Sequence, residues 1–221
     1  MPNLFDTPSD EKKHVAIAGN IGAGKTALTD VMGQYFDWKT VYEQVDENPY
    51  LTDFYNDMRR WSFNLQVFFL SRRFEQLQEI EEMEASVVQD RSIYEDAEIF
   101  ARNLYEMGLM SARDFENYAE LFSIMTDYLD PPSLLVYLRA SVPTLVDQIQ
   151  QRGRDYESTI RIDYLERLQG HYENWVESYD RGPKLIIDID ELDFVHEEAD
   201  RRTVLNQIES RLFGLFPDEQ E

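Results

Sequence analysis

The chain has 221 residues and a formal net charge of −23, with 44 acidic side chains against 21 basic ones and no cysteine. That length suits one α/β domain with a substantial core, and that charge argues against a general nucleic-acid-binding face. The lack of cysteine excludes disulfides, thiolate metal sites and thiol nucleophiles, and no stretch approaches the ~20 apolar residues of a membrane span.

The N-terminus lacks a basic-plus-apolar signal layout, so the expectation is a soluble, cytoplasmic protein. Residues 1–13 read as a loose polar leader, 14–216 as the domain and 217–221 as an acidic tail. The acidity reads as a solvated surface; adaptation to high salt is a further hypothesis that stability against salt concentration tests.

In chain order, residues 14–18 read as a short buried strand and 25–36 as a helix. Between them stands Gly19-Asn20-Ile21-Gly22-Ala23-Gly24-Lys25-Thr26, which fits the phosphate-loop pattern G-x-x-x-x-G-K-[ST]. Glycines there let backbone N–H groups curl round a polyphosphate, and the helix start adds partial positive charge. Lys25 would reach the outer phosphates and the Thr26 hydroxyl would hold Mg²⁺; the plain alternative is a glycine-rich turn.

Residues 40–42 read as a second strand ending at Glu43, followed by a short helical segment from Asn48-Pro49 to Asp57. Residues 61–83 form a long helical pattern whose centre, 65–70, is apolar nearly all round and should be buried on several sides. A third strand, 86–89, ends at Asp90-Arg91-Ser92. Helical patterns follow to about Met107 and over 111–129, with Gly108 as a cap between them. Strand four covers 134–138, and Pro143 opens a helix that runs to Arg152-Gly153-Arg154. A helix over 160–179, a fifth strand at 184–188 and a last helix at 199–213 complete the pattern.

Short apolar strands alternating with helices predict a five-stranded parallel α/β sheet covered on both faces, with ligands beyond the carboxyl ends of the strands. The phosphate loop, Glu43 and Asp90-Arg91 all fall at that edge. A carboxylate at Glu43 suits a general base that deprotonates a hydroxyl attacking a γ-phosphate, or it is one more surface acid in an acidic run. Asp90 can hold Mg²⁺ through water and Arg91 can stabilise a transferring phosphoryl group, or the two form a structural ion pair. Arg152 and Arg154 beside Gly153 suggest a mobile lid over phosphates, or a solvated turn. Gln66 and Arg73, two turns apart, share one helix face, and the Gln66 amide must find a partner in apolar surroundings. Asp96 can pair with Arg73 or serve as an ordinary first-turn acid.

With these motifs the chain resembles the deoxynucleoside kinases, the group of deoxycytidine, deoxyguanosine and bacterial deoxyadenosine kinases, over residues 14–213. The resemblance rests on the phosphate loop, Tyr42-Glu43-Gln44-Val45 with Asn48-Pro49, residues 61–66, Asp90-Arg91-Ser92, Arg152-Gly153-Arg154 with Glu157, and Ile187-Asp188. It implies a P-loop kinase fold with a short arginine-bearing lid, ATP as donor, Mg²⁺ near Thr26 and Asp90, and a deoxynucleoside acceptor. Glu43 looks like the base acting on the 5′-hydroxyl, and Tyr55 and Glu157 like the pair holding the 3′-hydroxyl. Gln66 and Asp96 look like base-reading residues with Arg73 supporting Asp96, and Phe100 like the ring stacked on the base. Arg91 looks like the arginine near the 5′-oxygen, and Arg152 and Arg154 like the lid arginines.

The Arg73 and Asp96 combination is similar to members that take adenine, guanine or cytosine deoxynucleosides, and Asp90 with Asn48-Pro49-Tyr50-Leu51 is more like the bacterial deoxyadenosine branch. Two positions depart from the pattern: Gln44 stands where proline is common, and Gln148 stands where some animal members carry an arginine, which leaves stacking on the ATP adenine open. The resemblance also implies a homodimer formed through helices, consistent with the long aromatic helix, and inhibition by a deoxynucleoside triphosphate.

Three rivals remain at this point. A thymidylate-kinase-like monophosphate kinase would need an arginine where Glu43 stands. A GTP-hydrolysing switch would need a guanine-reading N-K-x-D motif, which is absent. A non-catalytic nucleotide-binding module would have no use for Lys25, Glu43 and Arg91 together.

Overall fold

A computed structural model describes residues 12–43, 48–154 and 160–214. Its strands are β1 (His14–Gly19), β2 (Lys39–Val41), β3 (Val87–Asp90), β4 (Leu134–Arg139) and β5 (Lys184–Asp188), all paired in parallel in the order β2-β3-β1-β4-β5. β1 is therefore central, with β2 and β3 on one side and β4 and β5 on the other. The register sets Ile17 opposite both Asp90 and Val136, so β3 ends two residues short of β1, whose last residue Gly19 lies opposite Leu138.

The two-residue period of each strand divides the core. Ala16, Ala18, Val87, Leu135 and Tyr137 pack on one face, and Val15, Ile17, Val88, Leu134, Val136 and Leu138 on the other. The second face is covered by α1 (Lys25–Phe36) through Leu28 and Met32, by Leu145 of α7 (Val142–Arg152), and by Val204, Leu205 and Ile208 of α9 (Glu198–Phe213). The first face is covered by α2 (Leu51–Asn56), α3 (Met58–Glu82), the segment from α4 (Ile93–Glu95) through α5 (Arg102–Glu106) to α6 (Ala112–Thr126), and α8 (Ile162–Ser178).

Some boundaries differ from the sequence reading. α3 begins three residues earlier than its apolar pattern, because the Asp57 side chain accepts a hydrogen bond from Arg60 N at 3.1 Å and caps it. The centre of α3 is buried on one side only: Leu65, Gln66 and Leu70 are buried, while Val67, Phe68 and Phe69 keep partial exposure. Asp90 is the last residue of β3 rather than the first beyond it. The helix after Arg91 is interrupted by a π-helical stretch, Asp96–Ala101, between α4 and α5. Lys12 and Lys13, assigned to a loose leader, are tied down. The Lys12 ammonium donates to the carbonyls of Ile80 and Glu81, and Lys13 pairs with Ser86 and Val87 beside the sheet. The remainder of that leader and the acidic tail lie outside the described residues.

Candidate active site

The turn from β1 into α1 runs through two left-handed glycines, Gly22 at φ 90° and Gly24 at φ 81°. Both also sit against neighbours. A Cβ on Gly22 would lie 2.8 Å from the Leu145 carbonyl oxygen, and one on Gly24 3.1 Å from the Phe194 ring. Gly24 is the N-cap of α1 and no side chain caps that helix, so its first N–H groups remain available to an anion. The Lys25 ammonium is buried and donates to the Asn20 carbonyl at 3.0 Å. Burial first, and the neighbouring Arg91 charge second, lower its pKa to about 8.

Next to the loop, Thr26 Oγ1 donates to Asp90 Oδ2 at 2.5 Å, while the other carboxylate oxygen of Asp90 is buried with no hydrogen-bond partner among the described residues. Burial, with Glu43 nearby, raises the Asp90 pKa against the pull of Lys25. A hydroxyl, a carboxylate and a spare acceptor make a hard oxygen donor set that suits Mg²⁺.

Two residues beyond β2, Glu43 points one carboxylate oxygen at two guanidiniums: Arg91 Nε at 2.9 Å and Arg73 Nη2 at 3.0 Å. Burial alone would push the Glu43 pKa up. The charges of Arg91, Arg73 and Lys25 outweigh it and hold the group at about 2. Arg91 has φ 74°, a left-handed backbone uncommon for a non-glycine residue, with its N–H on the Ile17 carbonyl at 2.9 Å. Its guanidinium lies 4.6 Å from the centre of the Phe100 ring.

Arg73 also reaches Asp96 Oδ2 with Nε at 3.4 Å, so the pairing read from helix spacing is present. Burial raises the Asp96 pKa to about 6, only partly countered by Arg73 and Arg91. Gln66 is 3% exposed and its amide oxygen has no partner among the described residues.

A cavity of about 870 Å³ joins these groups. On the β2/β3 side it is lined by Glu43, Tyr55, Gln66, Arg91, Asp96 and Phe100, with Leu51, Phe54, Leu65, Phe69 and Tyr164 completing an apolar wall. On the β4/β5 side it meets Thr144, Gln148, Arg152, Arg154 and the segment after β5 that includes Phe194 and Val195. Lys25 and Thr26 lie between. Most site residues read from the sequence line this cavity; Gly19, Asn20, Ala23 and Arg73 do not, and Glu157 lies outside the described residues. Gly153, at φ 64°, caps α7 between Arg152 and Arg154.

The sequence reading missed several members. Phe69 is one turn beyond Gln66, and the signal was its place on the same helix face. The segment after β5 carries no motif; it is shaped by Arg201, whose guanidinium donates to the carbonyls of Phe194 and Val195. Glu95 reads as the last residue of an ordinary capping box with Ser92.

Comparison with known proteins decides the family. A family model described as Deoxynucleoside kinase matches residues 15–212. The chain belongs to the deoxynucleoside kinase family. This kinase is 39% identical over 198 residues to the deoxyadenosine/deoxycytidine kinase of Bacillus subtilis, covering 89% of this chain and 91% of that one. It is 41% identical over 208 residues to a deoxyguanosine kinase of Lactobacillus acidophilus, covering 90% of each. The structure of M. mycoides deoxyadenosine kinase with bound dATP matches with a TM-score of 0.79 at 28% identity, over 90% of this chain and 100% of the other. The P-loop kinase fold expected from the sequence is the one observed.

Proposed function

We propose that the kinase transfers the γ-phosphate of ATP to the 5′-hydroxyl of a deoxynucleoside, with deoxyadenosine as the preferred acceptor. The observation that carries this reading is the pairing of Glu43 with Arg91 and Arg73 in the same cavity as Lys25. A carboxylate suits a neutral hydroxyl acceptor and repels the phosphate monoester that a monophosphate kinase must take.

In this reading the loop from Gly19 to Thr26 and the Lys25 ammonium bind the donor phosphates, with Arg152 and Arg154 closing from the lid. Thr26 and Asp90 would hold Mg²⁺, which supplies positive charge to the phosphate oxygens when bound. The acceptor lies in the wall of Tyr55, Gln66, Asp96 and Phe100, with Glu157 contributing from the lid segment. The unpartnered Gln66 oxygen is available to an amino group on a base edge, and the Phe100 ring offers a face for stacking.

Glu43 takes the 5′-hydroxyl proton as the new O–P bond forms, and the bond from phosphorus to the β,γ-bridging oxygen breaks to release ADP. A donor phosphate beside Arg91 offsets part of the positive charge that depresses Glu43, so the base strengthens where it is needed. Support for the acceptor class comes from relatives whose names specify deoxyadenosine, deoxycytidine and deoxyguanosine.

A cytoplasmic homodimer belongs to the same reading. Leu121 and Ile124 of α6 are exposed, and Val67 and Phe68 of α3 are half-buried, which gives neighbouring helices an apolar surface to share with a second copy. The test of function is kcat/KM for the four deoxynucleosides with ATP and Mg²⁺. Deoxyadenosine should lead. Thymidine ahead by a wide margin would contradict the role given to Arg73 and Asp96.

A further inference from the structure

One oxygen of Glu95 gathers donors from three separate parts of the chain. Oε1 accepts from Tyr172 Oη at 2.7 Å, from the Gly19 backbone N–H at 3.2 Å, and stands 3.4 Å from Arg91 Nη1. Arg91 Nη1 also donates to Tyr172 Oη at 3.2 Å, which closes a triangle. The capping box at Ser92 needs only the other oxygen, Oε2, which accepts from Ser92 N at 2.7 Å and Ser92 Oγ at 3.1 Å. Glu95 is 0% exposed. The cap uses one carboxylate oxygen, and burying a carboxylate is costly unless the lone pairs of both are filled. The cap therefore does not account for where this side chain sits.

The arginine explains it. The two ends of the Arg91 guanidinium face different carboxylates, Nε toward Glu43 and Nη1 toward Glu95 and Tyr172. The Nε contact is an ion pair without hydrogen-bond geometry, so the hydrogen bonds at Nη1 are what restrain the group from turning on its side-chain torsions. A left-handed backbone at a non-glycine residue persists only where the surroundings over-determine it. Tyr172 is itself fixed, fully buried and stacked on Tyr137 with ring centres 5.7 Å apart and planes at 12°. Its helix also grips the phosphate loop, through Asn20 Nδ2 on the Leu165 carbonyl at 3.1 Å.

We propose that Glu95 and Tyr172 are a positioning pair that orients Arg91, and through it Glu43, against the first residue of the phosphate loop for the transfer step. The pair touches neither substrate. It links the donor loop, the arginine at the transferred phosphate and helix α8, so that base and phosphate loop share one frame. This deepens the proposed kinase reaction and rests on that reading.

The test is steady-state kinetics with Mg-ATP and deoxyadenosine on wild type, Tyr172→Phe, Glu95→Gln and the control Tyr179→Phe, which deletes a buried hydroxyl that has no partner among the described residues. Expected are a severalfold fall in kcat for Tyr172→Phe and a fall of roughly tenfold or more for Glu95→Gln, with both KM values within about threefold of wild type and Tyr179→Phe unchanged. In an Arg91→Ala background the Tyr172 hydroxyl should no longer matter to kcat. Unchanged kcat in Tyr172→Phe, raised KM with intact kcat, or an undiminished Tyr172 effect without Arg91 would each overturn the pair's role. Tyr172→Phe keeps the stacked ring, so it decides the matter even if Glu95→Gln fails to fold. Wild type that phosphorylates no deoxynucleoside would overturn the kinase reading as well, whereas active wild type with unaffected variants sinks the positioning pair alone.

Discussion

Arg73 reaches past Asp96 to Glu43, with Nη2 3.0 Å from the Glu43 carboxylate. One buried guanidinium thus holds both the proposed base and the proposed base-reading acid, and its third nitrogen donates to the Asp90 carbonyl at 3.3 Å. Replacing it strands Asp96 and leaves Glu43 with Arg91 alone, in a site where Arg73 itself is 2% exposed. Arg73→Gln should therefore lower the unfolding free energy by about 3–5 kcal/mol in urea titration, alongside its loss of activity. A change below about 1 kcal/mol would mean the ion pairs are solvated and weak.

Asp96 gives a pH signature. Its folded pKa is raised to about 6 from 3.8. The native state then holds a proton more tightly than the unfolded chain, so stability declines as pH rises from about 4 to about 6 and levels off above. Glu43 has the opposite sign: its stabilisation is complete above its ordinary 4.5 and is lost as pH falls toward about 2. Between 4.5 and 6, His14, whose pKa is lowered to about 4, adds a slope of opposite sign, and Asp90, raised like Asp96, adds one of the same sign. The difference between wild type and Asp96→Asn therefore isolates Asp96. Urea midpoints of wild type should fall relative to those of Asp96→Asn across this range; parallel profiles would contradict the raised pKa. Activity toward deoxyadenosine should also drop below about pH 6, where Asp96 loses its charge as an acceptor.

Gly22→Ala tests the loop. At φ 90° an added Cβ is strained, and it would sit 2.8 Å from the Leu145 carbonyl and 2.9 Å from Ile149 Cγ1. Neither backbone nor packed helix yields easily, so the loop shifts. The expected result is a KM for ATP raised roughly tenfold or more, with a smaller change for the nucleoside. Equal affinity for ATP would show that the loop tolerates the methyl and that its shape is less constrained than the contacts imply.

The charge of −23 should make stability depend on salt. Raising KCl from about 0.1 M to about 1 M shortens the Debye length from ~10 to ~3 Å and screens repulsion among surface acids. The unfolding temperature should rise by several degrees. An unchanged or lower value would assign the acids no net repulsive role.

The sequence made the strand–loop–helix at Gly19, the alternating elements and part of the cavity lining readable, because each rests on a local pattern. Gln66, Arg73 and Asp96 were readable from spacing along helices. Arg73 on Glu43 was not, since it joins residues 30 apart through the packing of α3 beside β2. The Glu95–Tyr172 bond spans 77 residues, and locally Glu95 satisfies an ordinary cap. The π-helical stretch at Asp96–Ala101 is a tertiary accommodation that the residue pattern does not announce. The donor-side wall after β5 depends on Arg201 bonding to backbone, which leaves no side-chain motif.

The most direct test is the turnover of Glu43→Gln with saturating deoxyadenosine, ATP and Mg²⁺, measured alongside its ATP affinity. The amide keeps the shape but cannot accept the 5′-hydroxyl proton. The account predicts a kcat lower by about two orders of magnitude or more while ATP still binds. Turnover within a fewfold of wild type would remove Glu43 from the chemistry.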